Sequence, residues 1–189
     1  YGTVRAGQDT LVVIDDSIVR GTTLKESIIR MLSRLKPKHI IIVSSAPQIR
    51  YPDCYGIDMS KLGDFVAFRA AIALIRERKM DSLLTDLLAK CHELDKKGEL
   101  HTENLVRQVY KPFSLDEISD KIAQLITPQD IEIPVSVIYQ TIETLHEACP
   151  ENTGDWYFTG NYPTPGGNKV CNKAFMNFME GRNVRGYGS

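Results

Sequence analysis

Apolar residues follow two different rhythms in the first third of the chain. Leu11-Val12-Val13-Ile14 and Ile40-Ile41-Ile42-Val43 are short, continuous runs rich in β-branched side chains. That is the pattern of strands buried on both faces. Between them Leu24, Ile28, Met31, Leu32 and Leu35 recur at helical spacing and offer one apolar face. Thr23 and Glu26 stand at capping-box spacing at the start of this helix, and Pro37 marks its end. Strand, helix, strand is a βαβ unit, which predicts a parallel sheet and an α/β class.

The rest of the chain reads as mainly helical. Phe65, Phe68, Ile72 and Ile75 share one face of a helix from Asp64 to Met80, and Leu83, Leu84, Leu87 and Leu88 continue the pattern from Asp81 to Leu94. Lys96-Lys97-Gly98 breaks it. Ser114 and Glu117 form a second capping-box signature before Ile118, Ile122 and Leu125. A further helix is predicted from Pro134, with Val135, Ile138, Ile142 and Leu145 facing inward. From Pro150 the chain is rich in Gly, Pro and Asn, which predicts an irregular tail with one short helix through Phe175, Phe178 and Met179. Three regions follow: an α/β part over 1–60, a helical part over 61–149 and a tail over 150–189.

Composition narrows the function classes. Apolar residues make up 42% of the 189 and charged residues 25%, enough to supply a core. A net charge of −1 gives no electrostatic reason to expect nucleic acid or an anionic membrane as partner. No apolar run approaches the ~20 residues of a membrane-spanning helix, and the opening residues carry no signal-peptide pattern. Cys54, Cys91, Cys149 and Cys171 are scattered without a Cys-x-x-Cys pair, so reduced, mostly buried thiols and a cytoplasmic location are expected. His39, His92, His101 and His146 lack metal-ligand spacing. The chain opens on Tyr1 rather than Met and reaches a strand almost at once, so a piece of something longer is expected.

Candidate chemistry concentrates in Asp15-Asp16-Ser17-Ile18-Val19-Arg20-Gly21-Thr22-Thr23. Two adjacent carboxylates stand at the carboxyl end of a strand, the edge where α/β sheets place ligands. A glycine allows close backbone approach, and hydroxyls follow at a helix N-terminus, where unpaired N–H groups and partial positive charge suit a phosphate. Arg20 either adds a guanidinium or faces solvent. One end of the loop thus suits a phosphate, the other sugar hydroxyls or a divalent cation. The plainer alternative is an Asp-Asp turn that only caps a helix. The GxxxxGK[ST] pattern of nucleoside triphosphatases is absent.

This stretch resembles the phosphoribosyl pyrophosphate signature of type I phosphoribosyltransferases. The variant Asp-Asp-Ser-Ile-Val-Arg-Gly-Thr-Thr is more particular and resembles the form in amidophosphoribosyltransferases, the glutamine-dependent enzymes of the first committed step of purine synthesis. Ser45-Ala46-Pro47-Gln48-Ile49-Arg50, Tyr55-Gly56-Ile57-Asp58-Met59 and Phe158-Thr159-Gly160-Asn161-Tyr162-Pro163-Thr164 agree with that family, in its order. The resemblance implies a partial type I phosphoribosyltransferase fold, with Asp15 and Asp16 meeting the ribose hydroxyls and Mg2+ and with Ser17 through Thr23 forming the phosphate loop. It also implies a homo-oligomer, feedback by purine nucleotides, and formation of phosphoribosylamine from phosphoribosyl pyrophosphate and glutamine-derived ammonia.

The departures from the family matter as much. The N-terminal glutaminase domain and its cysteine, the pyrophosphate-binding turn and the flexible active-site loop would all lie upstream. No catalytic residue is therefore assigned in this chain, and little turnover is expected of it alone. The helical stretch 60–113 is longer than the family's usual segment, as a lineage-specific insertion would be. Where the iron–sulfur branch of the family has cluster ligands, this chain has Asp53, Gly154 and Tyr157, with Cys54 one position off, so no iron–sulfur cluster is expected. Another type I phosphoribosyltransferase and a non-catalytic regulatory module binding phosphoribosyl pyrophosphate or purine nucleotides remain as alternatives.

Overall fold

The computed structural model describes residues 3–55, 59–151 and 154–187. Its centre is a three-stranded parallel sheet in the order β1-β2-β3, formed by Thr10–Asp15, His39–Ser44 and Val135–Tyr139. The connection from β1 to β2 opens as a π-helical turn, Leu24–Ile28, and continues as α1, Ile29–Ser33. After β2 the chain runs through α2 (Val66–Glu77), α3 (Asp81–Lys96), α4 (Arg107–Tyr110) and α5 (Leu115–Ile126) before returning as β3. Helices α6 (Ile142–Ala148), α7 (Trp156–Thr159) and α8 (Pro165–Met179) complete it. The α/β class and the βαβ unit of the sequence reading are those observed.

Among the described residues the sheet is packed on one face only. The strand register puts Leu11, Val13 and Asp15, Ile40, Ile42 and Ser44, and Val135, Val137 and Tyr139 on the same side. There Ile40, Ile42, Val137 and Tyr139 are buried in one cluster with Ile29 of α1 and with Ile118, Ile122 and Ile126 of α5. On the other side Val12 is 60% exposed, Ile14 74% and Ile138 52%, which corrects the expectation of β1 as a strand buried on both faces. Continuous β-branched runs mark strands in parallel sheets, but whether both faces are covered depends on what packs there.

Four other expectations change. The segment from Pro134 is a strand followed by a separate helix. Val135, Ile138 and Ile142 match helical spacing, but β-branched and aromatic side chains favour the extended run, and Thr141 starts α6 by accepting the N–H of Thr144. Thr23 lies in helical conformation and makes no capping bond, whereas the box at Ser114 and Glu117 is complete, with both reciprocal bonds. Met31 and Leu35 are exposed, at 59% and 48%. The tail holds a helix of 15 residues, α8, because Pro165 occupies its first turn, where a missing N–H costs nothing. Gly167 in that turn lies against the Tyr162 ring, which a β-carbon would meet at 2.4 Å.

Polar side chains fasten the tail to the core. Asn172 of α8 is fully buried; it accepts the N–H of Leu105 at 3.0 Å and donates to the carbonyls of Leu100 and Glu103 at 2.9 and 2.8 Å. Phe178 packs edge-on against Phe68 of α2, with ring centroids 4.9 Å apart. Cys91 and Cys171 are buried, Cys54 is partly so and Cys149 is exposed, so only two of the four free thiols meet the buried expectation. No helix among the described residues is long and apolar enough to cross a membrane. Replacing Asn172 by Leu strands one buried N–H and two carbonyls, so Asn172→Leu should lose about 2–4 kcal/mol of stability in urea denaturation.

Candidate functional site

β1 delivers Asp15 to the carboxyl edge of the sheet and holds its backbone there, since the Asp15 carbonyl accepts the N–H of Ser45 at 2.9 Å. Asp15 Oδ1 accepts the N–H of Asp16 at 3.0 Å, and Asp16 Oδ1 accepts that of Ser17 at 2.7 Å. Each carboxylate therefore organises the next residue of the loop. Asp15 is half-buried and Asp16 exposed. Burial first, and then the charge of Asp16, push the Asp15 carboxyl up, against the lowering effect of the Asp16 N–H.

The loop is fixed from behind. Ile18 is buried, the Val19 carbonyl accepts the N–H of Val66 at 2.8 Å, and the Arg20 carbonyl accepts Nη2 of Arg69 at 2.6 Å. Gly21 turns the chain at φ +70°, where a β-carbon would come within 2.7 Å of Ile126 Cγ2. Both facts require glycine. The hydroxyls of Thr22 and Thr23 make no hydrogen bond among the described residues, and both residues are exposed. The front of the loop is a concavity of about 620 Å3 lined by Asp15, by every residue from Ser17 to Thr23, and by Leu24, Ile28 and Met59. That volume is in the range of small-molecule sites.

Of the nine residues singled out in the sequence, Asp16 alone does not line this concavity. Arg20 does, and its guanidinium also lies 3.8 Å from Asp64, a pairing the sequence gave no sign of. Among the described residues no three His, Cys, Asp or Glu side chains converge as metal ligands. Two neighbouring carboxylates suit magnesium, which commonly binds through one or two carboxylates and takes its other oxygens from water and substrate phosphates. Met59 escaped the sequence reading as a site residue, although the block ending in it was noted.

No model of a known protein family matches the chain. Individual proteins do. The chain is similar to the amidophosphoribosyltransferases of Haemophilus influenzae, at 43% identity over 67 residues, and of Escherichia coli, at 42% over 67; each match covers 35% of this chain and 13% of the relative. The amidophosphoribosyltransferase of Saccharomyces cerevisiae matches at 30% over 138 residues, or 67% of this chain and 27% of the relative. This chain belongs to the amidophosphoribosyltransferase family. It spans about a quarter or less of the length of these curated relatives.

Two of the other blocks that carry the resemblance, Ser45 to Arg50 and Phe158 to Thr164, meet one another. The Arg50 and Tyr51 N–H groups donate to the Tyr157 carbonyl at 2.8 and 3.1 Å, and Gly160 packs on the Tyr51 ring. Pro47, Gln48, Arg50 and Phe158 line one smaller pocket, apart from the loop concavity. Gly56, Ile57 and Asp58 lie outside the described residues, and with them most of the block from Tyr55 to Met59. At two of the positions where the iron–sulfur branch has ligands, Tyr157 Oη donates to Oδ1 of the fully buried Asp53 at 2.9 Å.

Two outcomes follow for the loop. Gly21→Ala places a β-carbon at positive φ and against Ile126, and should destabilise by about 1–2 kcal/mol from the backbone with a further 1–3 from overpacking, as read by urea denaturation. Asp15→Asn should be as stable as the parent or slightly more so at pH 7. A carboxyl with a raised pKa favours the fold fully below its unfolded value, about 3.9, and loses that contribution as pH rises through its folded value. Melting curves of the two proteins should therefore converge as the pH falls below about 4.

Proposed function

We propose that the loop Asp15–Thr23 is the phosphoribosyl pyrophosphate site of an amidophosphoribosyltransferase that serves purine biosynthesis. The observation that carries this reading is the single concavity lined by Asp15 and by every residue from Ser17 to Thr23, in a chain of that family. The hydroxyls of Thr22 and Thr23, with the N–H groups of the helical turn that follows, donate to the 5′-phosphate. Asp15 and Asp16 accept from the ribose hydroxyls. Asp15, with Asp16 beside it just outside the lining, would hold magnesium, and the ion would supply positive charge to the leaving pyrophosphate. The loop's task is positional and electrostatic: it fixes the sugar while ammonia displaces pyrophosphate at the anomeric carbon.

The chain spans at most 27% of the length of the relatives cited, which supports binding without substantial turnover by this chain alone. Asp53 and Tyr157 are engaged with one another at positions where a cluster would need ligands, which supports an enzyme of the branch without iron–sulfur.

Calorimetric titration of the chain with phosphoribosyl pyrophosphate and magnesium tests the site. Magnesium-dependent binding is expected, with at least a tenfold loss in Asp15→Asn/Asp16→Asn and in Thr22→Ala/Thr23→Ala, each of which removes groups that meet charge. Binding unchanged in both variants would contradict the assignment. Preference for a purine monophosphate, indifferent to magnesium, would favour a regulatory binding module instead. An assay for phosphoribosylamine should find little product from the isolated chain.

A further inference from the structure

Three polar side chains stand in one row at the carboxyl edge of the sheet. The register pairs Asp15 with Ser44 and Ser44 with Tyr139, so all three project from the same, helix-covered face. The backbone here is laced beyond the strands, the Ser45 N–H donating to the Asp15 carbonyl and the Gln140 N–H to the Ser44 carbonyl at 3.2 Å. Ser44 is buried, and its Oγ donates to the carbonyl of Ala46 at 2.8 Å. Tyr139 is 6% exposed, and its hydroxyl is fully buried without a hydrogen-bond partner among the described residues.

A buried hydroxyl with no partner is a standing cost that folded proteins rarely keep without a use. A phenol keeps its proton at neutral pH, so the group can act as a donor. Asp15 and Tyr139 are two strand spacings apart, about 10 Å between Cα atoms. The serine between them is short, and a side chain of tyrosine's length can lean across it. Asp15 is the acceptor at the far end of the row.

We infer that Tyr139 is a positioning residue for Asp15, its hydroxyl donating to the Asp15 carboxylate when phosphoribosyl pyrophosphate is bound and fixing that carboxylate toward the sugar. The inference rests on the reading of the loop as the site for that substrate. It assigns a role on the binding edge to β3, a strand that enters the sheet some 90 residues after β2.

The test is Tyr139→Phe, which keeps the ring and removes only the orphan oxygen. Its melting temperature without substrate should equal or exceed that of the parent. Its affinity for phosphoribosyl pyrophosphate with magnesium should fall about tenfold, as expected for one hydrogen bond to a charged group. In protein labelled with carbon-13 at tyrosine Cζ, the resonance missing from Tyr139→Phe should shift in the parent when substrate and magnesium are added together. A purely structural role would not move it. Parent-like affinity in Tyr139→Phe, with an unmoved resonance, would overturn the inference and leave the loop assignment standing. Absence of binding by the folded parent would overturn both. A lower melting temperature for Tyr139→Phe would show the hydroxyl already spent within the fold and would also overturn it.

Discussion

Ile126, the last residue of α5, reaches to within 2.7 Å of where a β-carbon on Gly21 would stand, and Val66, the first of α2, lies at 3.5 Å from the same point. The candidate site takes its shape from this contact. Helix α5 packs against β3 on one side and α2 on the other, burying Ile118, Ile122 and Ile126, each worth about 1.5–3 kcal/mol. A helix held so firmly cannot yield to the loop, so the loop must turn at Gly21. That turn presents Thr22 and Thr23 outward, while the Val19 carbonyl satisfies the first N–H of α2. The same bond that caps a core helix thus anchors the loop.

A second set of polar contacts holds the segment that follows β2. Tyr110 Oη donates to the Arg50 carbonyl at 2.7 Å, Tyr162 Oη to the Pro52 carbonyl at 2.7 Å, and Tyr157 and Tyr187 both donate to Asp53. Asp53 is fully buried, and it also accepts the Tyr55 N–H at 2.9 Å. A buried carboxylate persists only when its oxygens are met by donors, and here the tail supplies them. Sequence blocks about a hundred residues apart are therefore held together by tyrosine hydroxyls on backbone and carboxylate oxygens.

Much of the site was legible in the chain because it is local. A continuous β-branched run, two aspartates, a glycine and two threonines specify strand, loop and helix within 14 residues, Thr10 to Thr23, and the structure keeps that order. What was not legible depends on distant partners. Nothing near Val12 and Ile14 says that their side of the sheet stays open. Tyr139 was hidden because Val135, Ile138 and Ile142 satisfy helical spacing by coincidence, and a five-residue apolar run is ambiguous between strand and helix. The Thr23–Glu26 spacing suggested a cap, but the helix is already running at Thr23, so its hydroxyl makes no capping bond and the residue lines the concavity instead. The length of α8 was underestimated because Gly and Pro were read as breakers, although Pro165 sits where a helix tolerates it.

The central claim is that a rigid core presents the loop Asp15–Thr23 to phosphoribosyl pyrophosphate. Hydrogen–deuterium exchange of the loop amides tests it most directly, with substrate and magnesium added singly and together. The account predicts slower exchange across Ser17 to Thr23 only when both are present, with α5 and α2 unchanged because they are already protected. Loop exchange unaltered by the pair, or protection confined to the pocket lined by Gln48, Arg50 and Phe158, would contradict it.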